Sequence, residues 1–248
     1  MIIGVLGRGQ TLKKYKKYSK IMDKIYIVGY FQNEILKMGI KYFLNKEVVH
    51  VVGRGHRGLS KELYEQLNIN SVKTPCHSLD HFISGNGKTD FKTYFPPGIE
   101  IETVPECMKE RGCPPLPIDI LNEYSSEFED YKEMCNFLEI KYSSNEDLFA
   151  KRRVRFWPQT GSYAIDLALT EDMPEKLYLF GIDNYSKIDN YSTLYYYPVW
   201  ADHRKPLNSK MTKFCSYYIG NLAKEYSSTQ FYSSSDYFSF DYENWNNI

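Results

Sequence analysis

The sequence predicts an α/β protein with a doubly wound, mostly parallel sheet of Rossmann-like type, and three observations carry that expectation. Short apolar runs at residues 2–6, 24–28 and 48–52 are separated by segments with helical spacing. The runs lack in-out alternation, which is how strands buried on both faces read. The first run stops at Gly7-Arg8-Gly9, and the strongest run, residues 177–182, carries Gly181 near its end. Strands that each enter a turn and then a helix build open parallel sheets.

The elements follow in order. Residues 11–19 are lysine-rich and read as a helix with its charges outward. Residues 31–38 and 59–67 have helical spacing, with Ser60 placed to cap the second helix. Between residues 74 and 150 the pattern degrades into the breakers SGNGKTD, FPPG and CPPLP, although residues 122–140 recover a helical rhythm. That stretch reads either as a lid or acceptor-side insertion or as an ordinary structural insertion. A strand at 154–157, a helix at 163–169 and the strand at 177–182 come next. A polar, tyrosine-rich loop then leads to a helix whose apolar stripe is Leu207, Met211, Phe214, Tyr218 and Leu222, with Pro206 at its first turn. The Ser/Tyr-rich tail, 227–248, either adds a strand or frays. The 248 residues are read as one domain.

Composition argues against several classes. Lys+Arg and Asp+Glu both number 31, so the basic excess of a nucleic-acid binder is missing and no nucleic-acid partner is expected. The five cysteines are odd in number and irregular in spacing, which points to free thiols in a reducing compartment. No paired knuckle supports a zinc site from Cys76, His77, His81, Cys107 and Cys113, so no metal is expected. MIIGVLG is too short for a signal-peptide core, and no apolar run reaches the roughly 18 residues of a membrane span. A soluble, cytoplasmic protein is expected. The cluster of Lys13, Lys14, Lys16 and Lys17 fits a solvated helix face or peripheral membrane association, and an oligomer stays open.

Chemistry has three candidate places. Gly7-Arg8-Gly9-Gln10-Thr11 follows the first strand, where glycines admit a phosphate or ribose and a helix start offers N–H groups to an anion. Leu12 replaces the third glycine of a dinucleotide fingerprint, and no Gly-Lys-Ser/Thr follows for a P-loop, so a purely structural turn competes. Thr160-Gly161-Ser162 opens a helix, either capping it or contacting a base or ribose. The stretch GIDNYSKIDNY followed by ADHRK puts Asp183, Tyr185, Tyr191 and His203 on a loop beyond the strongest strand. Tyrosine hydroxyls there can hold a departing phosphate, and a histidine can accept a proton from a hydroxyl. Loop tyrosines and a lone histidine also occur without a catalytic role.

At these residues the chain resembles the bacterial lipooligosaccharide sialyltransferases, a metal-independent family that uses CMP-sialic acid. That family has a Gly-Asn-Gly-Pro-Ser turn after its first strand and a Ser/Thr-Gly turn before a later helix. A Gly-Ile-Asp-x-Tyr strand end with a second Tyr six residues on precedes its catalytic His. Gly181-Ile182-Asp183-Asn184-Tyr185, Tyr191 and His203 repeat the most specific part. The resemblance implies that His203 deprotonates a glycan acceptor hydroxyl, which attacks the donor with inversion. It further implies that Tyr185 and Tyr191 hold the phosphate of departing CMP, and that Thr160, Gly161 and Ser162 contact the cytidine. Asp183 would order the loop rather than react. No cofactor is implied beyond the donor itself, and a bacterial or viral origin fits better than a Golgi one. The first half departs from the pattern. Arg8 stands where the family has an amide contact to the nucleotide; the second such contact falls near Phe31, with Gln32 and Asn33 close by, and the third in Gly53-Arg54-Gly55. These departures leave open another nucleotide sugar on the same scaffold, or a non-catalytic nucleotide- or glycan-binding module.

Overall fold

The structure is a computed structural model that describes residues 1–53, 58–76, 95–110, 160–183, 209–235 and 240–248. Strands β1 (Ile2–Leu6), β2 (Lys24–Val28) and β3 (Glu47–Val51) alternate with helices α1 (Tyr15–Tyr18), α2 (Gln32–Met38) and α3 (Lys61–Gln66). Then come β4 (Ser71–Lys73), β5 (Glu100–Glu102), α4 (Glu106–Glu110), α5 (Thr160–Asp172), β6 (Lys176–Phe180), α6 (Ser209–Glu225), β7 (Gln230–Ser233) and β8 (Trp245–Asn247). The eight strands of the described residues form one parallel sheet, in the order β5-β4-β3-β2-β1-β6-β7-β8. The doubly wound α/β expectation is met.

Two apolar layers account for the unbroken strand runs. On one face α5 and α6 pack over Ile3, Val5, Tyr26, Leu177 and Leu179. On the other, α1, α2 and α3 cover Leu6, Ile25, Ile27, Val48 and Phe180. Alternate residues of one strand thus enter opposite cores, so β2 is buried along its whole length. The Ser60 hydroxyl accepts the Leu63 N–H at 3.4 Å, as its capping position predicted. The expected 11–19 helix is a composite, with 3-10 turns at Gln10–Lys14 and Ser19–Ile21 flanking α1.

Two segments hold more order than their composition suggested. The stretch 74–150, expected to be irregular, contributes β5 as the sheet's edge strand and α4, whose Met108 enters the core; residues 111–150 lie outside the described residues. The tail holds two strands rather than fraying. Phe231 and Trp245 stack at 5.6 Å within the core. The Asn244 amide donates to the carbonyls of Ala223 (2.9 Å), in the last turn of α6, and of Thr229 (3.0 Å), just before β7. The expected strand at 154–157 and Leu207 of the predicted stripe fall outside the described residues; Tyr218 and Leu222 of that stripe are buried.

His50 ties β3 to the turn after β2. Its Nε2 lies 2.7 Å from the Gly29 carbonyl, which only accepts, so Nε2 carries the proton and Nδ1 accepts the Tyr64 hydroxyl at 2.9 Å. Burial pushes the imidazole down to about 4 from an ordinary 6.5. The neutral form is therefore the folded form, and its stabilisation is complete above 6.5 and lost as pH falls toward 4. The loss should reach about 3 kcal/mol. Urea midpoints measured across that range should fall more steeply for wild type than for His50→Gln, and equal slopes would remove His50 as the cause.

Candidate functional site

The sheet order reverses at β1. From β1 the chain winds outward through β2 to β5, then returns to β1's other side as β6 and winds out through β7 and β8. In open α/β sheets ligands bind beyond the carboxyl ends of the strands at such a switch point. The turns following β1 and β6 meet there. The Gly7 N–H donates to the Phe180 carbonyl (2.7 Å), and the Gly9 N–H donates to the Gly181 carbonyl (2.8 Å).

Asp183 and Thr11 close the junction. The Thr11 N–H and hydroxyl donate to the Asp183 carboxylate at 3.0 and 2.5 Å, and the Gly181 N–H donates to the Thr11 oxygen at 3.0 Å. Burial raises the Asp183 carboxyl above its ordinary range; the Thr11 donors, the Ser235 hydroxyl and the Lys14 charge pull it back. The glycines are explained by this contact. A methyl group at Gly7 would overlap the Gly181 carbonyl, and one at Gly9 would overlap the Asp183 carboxylate. Gly181 has φ +65°, the left-handed region, and a methyl group there would overlap the Gly7 carbonyl.

This geometry changes the expected role of the first turn. The amides of Gly7, Gly9 and Thr11, candidates for an anion cradle, donate instead to Phe180, Gly181 and Asp183. What the turn still presents are side chains. Gln10 is exposed. Arg8 donates from Nε to Glu34 Oε1 at 2.7 Å, with its side chain 10% exposed and that of Glu34 fully covered. Burial raises the Glu34 carboxyl and the Arg8 charge opposes that shift. Glu34 was not among the residues singled out from the sequence. The available signal was a charged residue next to Ile35 and Met38, on the side of α2 that enters the core. Asn33, in the first turn of α2, is half-buried, and its neighbour Gln32 accepts the Ser60 N–H at 2.8 Å.

Thr160, Gly161 and Ser162 form the first turn of α5 rather than a loop before it. Gly161 packs toward Ile182, where an added methyl group would lie 3.1 Å from Cδ1. The start of α5 therefore adjoins the β6 turn, with no acidic residue in its first turn to offset the positive helix end. Ser162 is buried and Thr160 half-buried, so Thr160 is the hydroxyl of this turn with access to a ligand. Three of the predicted segments thus converge on one end of the sheet. Arg54, Tyr185, Tyr191 and His203 lie outside the described residues. Among the described residues no group of His, Cys, Asp and Glu is arranged to hold a metal, and no helix is long and apolar enough to cross a membrane.

The sheet and its reversal of strand order at β1 define an α/β protein of the Rossmann-like, doubly wound class. Comparison with protein-family models, with curated proteins and with solved structures returned no match.

Proposed function

We propose that the chain is a metal-independent, inverting glycosyltransferase resembling the sialyltransferases, moving sialic acid from CMP-sialic acid to a glycan hydroxyl. The observation that carries this reading is the meeting of residues 7–11, 160–162 and 181–183 at the switch point. The resemblance rests in part on these segments; its most specific part continues through Tyr185, Tyr191 and His203. Thr11 holds Asp183, which stands two positions before Tyr185 in the sequence, and Asp183 is the residue the resemblance expects to order this segment.

In the proposed reaction His203 takes the proton of the acceptor hydroxyl as its oxygen bonds to the anomeric carbon. The bond from that carbon to the CMP phosphate oxygen breaks, and the electron pair leaves with CMP. Tyr185 and Tyr191 donate hydrogen bonds to the phosphate and offset its growing charge. A second reading, another nucleotide sugar on the same scaffold, is favoured by Arg8, which brings a guanidinium paired with Glu34 where the family has an amide side chain.

A thermal-shift series with CMP, CDP, UDP and GDP separates the two, because a ligand specific for the native state raises the midpoint. CMP should raise it most. A response to UDP without one to CMP would reassign the donor. With CMP-sialic acid and a galactoside acceptor, Tyr185→Phe and Tyr191→Phe should each lower CMP release by about tenfold or more. Full activity in the double variant would remove the tyrosines from the phosphate site.

A further inference from the structure

The neutral total conceals a strong asymmetry. Residues 1–46 carry ten of the chain's 31 Lys and Arg but two of its 31 Asp and Glu. Both acids are engaged: Glu34 is buried against Arg8, and the Asp23 carboxylate accepts the Ile2 N–H at 2.7 Å. Lys13, Lys17, Lys20 and Lys41 are exposed and Lys16 half-exposed, and no carboxylate among the described residues pairs with any of the five. Lys14 is not part of this set, since its ammonium donates to the Ser234 and Ile248 carbonyls.

Contacts bring the two segments that carry these lysines together. Lys16 from α1 and Lys41 from the 3-10 turn Ile40–Tyr42 both lie over the Tyr42 ring, at 5.5 and 5.3 Å. Lys17 lies over Tyr18 at 5.2 Å, and Lys46 donates to the Ser19 carbonyl, drawing residues 44–46 beside 19–21. Glu47, the next acid in the chain, pairs with Lys24, which also meets Asp172 of α5 on the opposite face of the sheet. Two large apolar side chains protrude within the basic surface, Ile21 at 45% and Leu44 at 37% exposed.

We propose that this face, built by residues 13–21 and 40–46, docks on an anionic membrane surface, with the lysines meeting lipid headgroups and Ile21 and Leu44 entering the interface. Basic side chains attract anionic lipid within a Debye length, and apolar residues set among them add burial at the headgroup boundary. Tyr18 and Tyr42, each with an apolar ring and a polar tip, suit that boundary. A soluble polyanion would use the same charges, but Ile21 and Leu44 would gain nothing from it. The lysines run from the 3-10 turn Gln10–Lys14, beside the switch point, to Ser19–Ile21 at the start of β2. The docking surface shares no residue with the proposed donor site, so it stands or falls apart from the transferase reading.

Cosedimentation of the full chain with vesicles of phosphatidylcholine, alone or mixed with phosphatidylglycerol, tests it. Wild type should bind the mixed vesicles only, and added salt should weaken that binding. Lys16→Gln/Lys17→Gln/Lys20→Gln should lower the partition on the order of 100-fold. Ile21→Ser/Leu44→Ser should lower it about tenfold while leaving retention on heparin unchanged. Thermal midpoints near that of wild type would show that both variants fold. Failure of wild type to bind phosphatidylglycerol vesicles overturns the proposal. So does full vesicle binding by Ile21→Ser/Leu44→Ser, which would leave a face that attracts anions by charge alone, with no preference for a membrane.

Discussion

Gly9→Ala should destabilise the protein by about 3 kcal/mol, a large effect for one methyl group, since overpacking a tight site usually costs 1–3 kcal/mol. Conformational preference contributes none of it, because Gly9 has φ −69° and ψ 169°, a backbone any residue adopts. The cost is steric. The new methyl group would overlap the Asp183 carboxylate and lie 2.8 Å from the Gly181 carbonyl, which already accepts the Gly9 N–H. Relief requires Asp183 to move, which breaks its two bonds from Thr11. Asp183→Ala removes the obstructing carboxylate, so in the Gly9→Ala/Asp183→Ala double variant the two losses should add to less than their sum. Urea midpoints for the four proteins of the cycle measure this coupling. A neutral Gly9→Ala, or strict additivity, would mean that the two turns do not constrain each other. Gly39→Ala is the useful control, because its positive φ of +98° carries strain while an added methyl group meets nothing within 4 Å.

The largest effect on activity is expected at His203. His203→Ala should lower acceptor-dependent CMP release by about 10²–10⁴-fold, the usual contribution of a general base. CMP should still raise the thermal midpoint of the variant, because the proposed base acts on the acceptor and not on the nucleotide. A base must be neutral to take a proton, so wild-type kcat/KM should fall on the acid side, and that limb should vanish in the variant. Unchanged turnover would eliminate the base. Nucleotide binding without any turnover in wild type would instead support a binding module. The Gly9→Ala cycle bears on the junction after β6, where Thr11 donates to Asp183 and Gly9 lies against its carboxylate.

The elements most legible in the sequence were those whose pattern is local. β1, β2, β3 and β6 are runs of five residues that enter both cores, and α6 carries an apolar stripe. Three-residue strands have no periodicity to read. SVK, EIE and WNN are strands because a neighbouring strand edge offers backbone partners, and β5 therefore lay unseen in a stretch that reads as breakers. The tail was ambiguous for a related reason, as serine and tyrosine do not announce a strand until Phe231 and Trp245 find the core.

At the site the division falls along the same line. By itself the sequence determined the parallel α/β class, the two glycine turns and the spacing of Asp183, Tyr185 and Tyr191, because each is a property of neighbouring residues. Only the tertiary structure decided what the glycines are for, since Thr11 and Asp183 are separated by 172 positions and meet only when β6 pairs with β1. The same pairing directs the turn's amides to the protein itself, while the neighbouring β1–β2 pair brings Arg8 to Glu34, 26 positions away. Hydrogen-bond partners that distant along the chain are set by strand order, which no local pattern encodes.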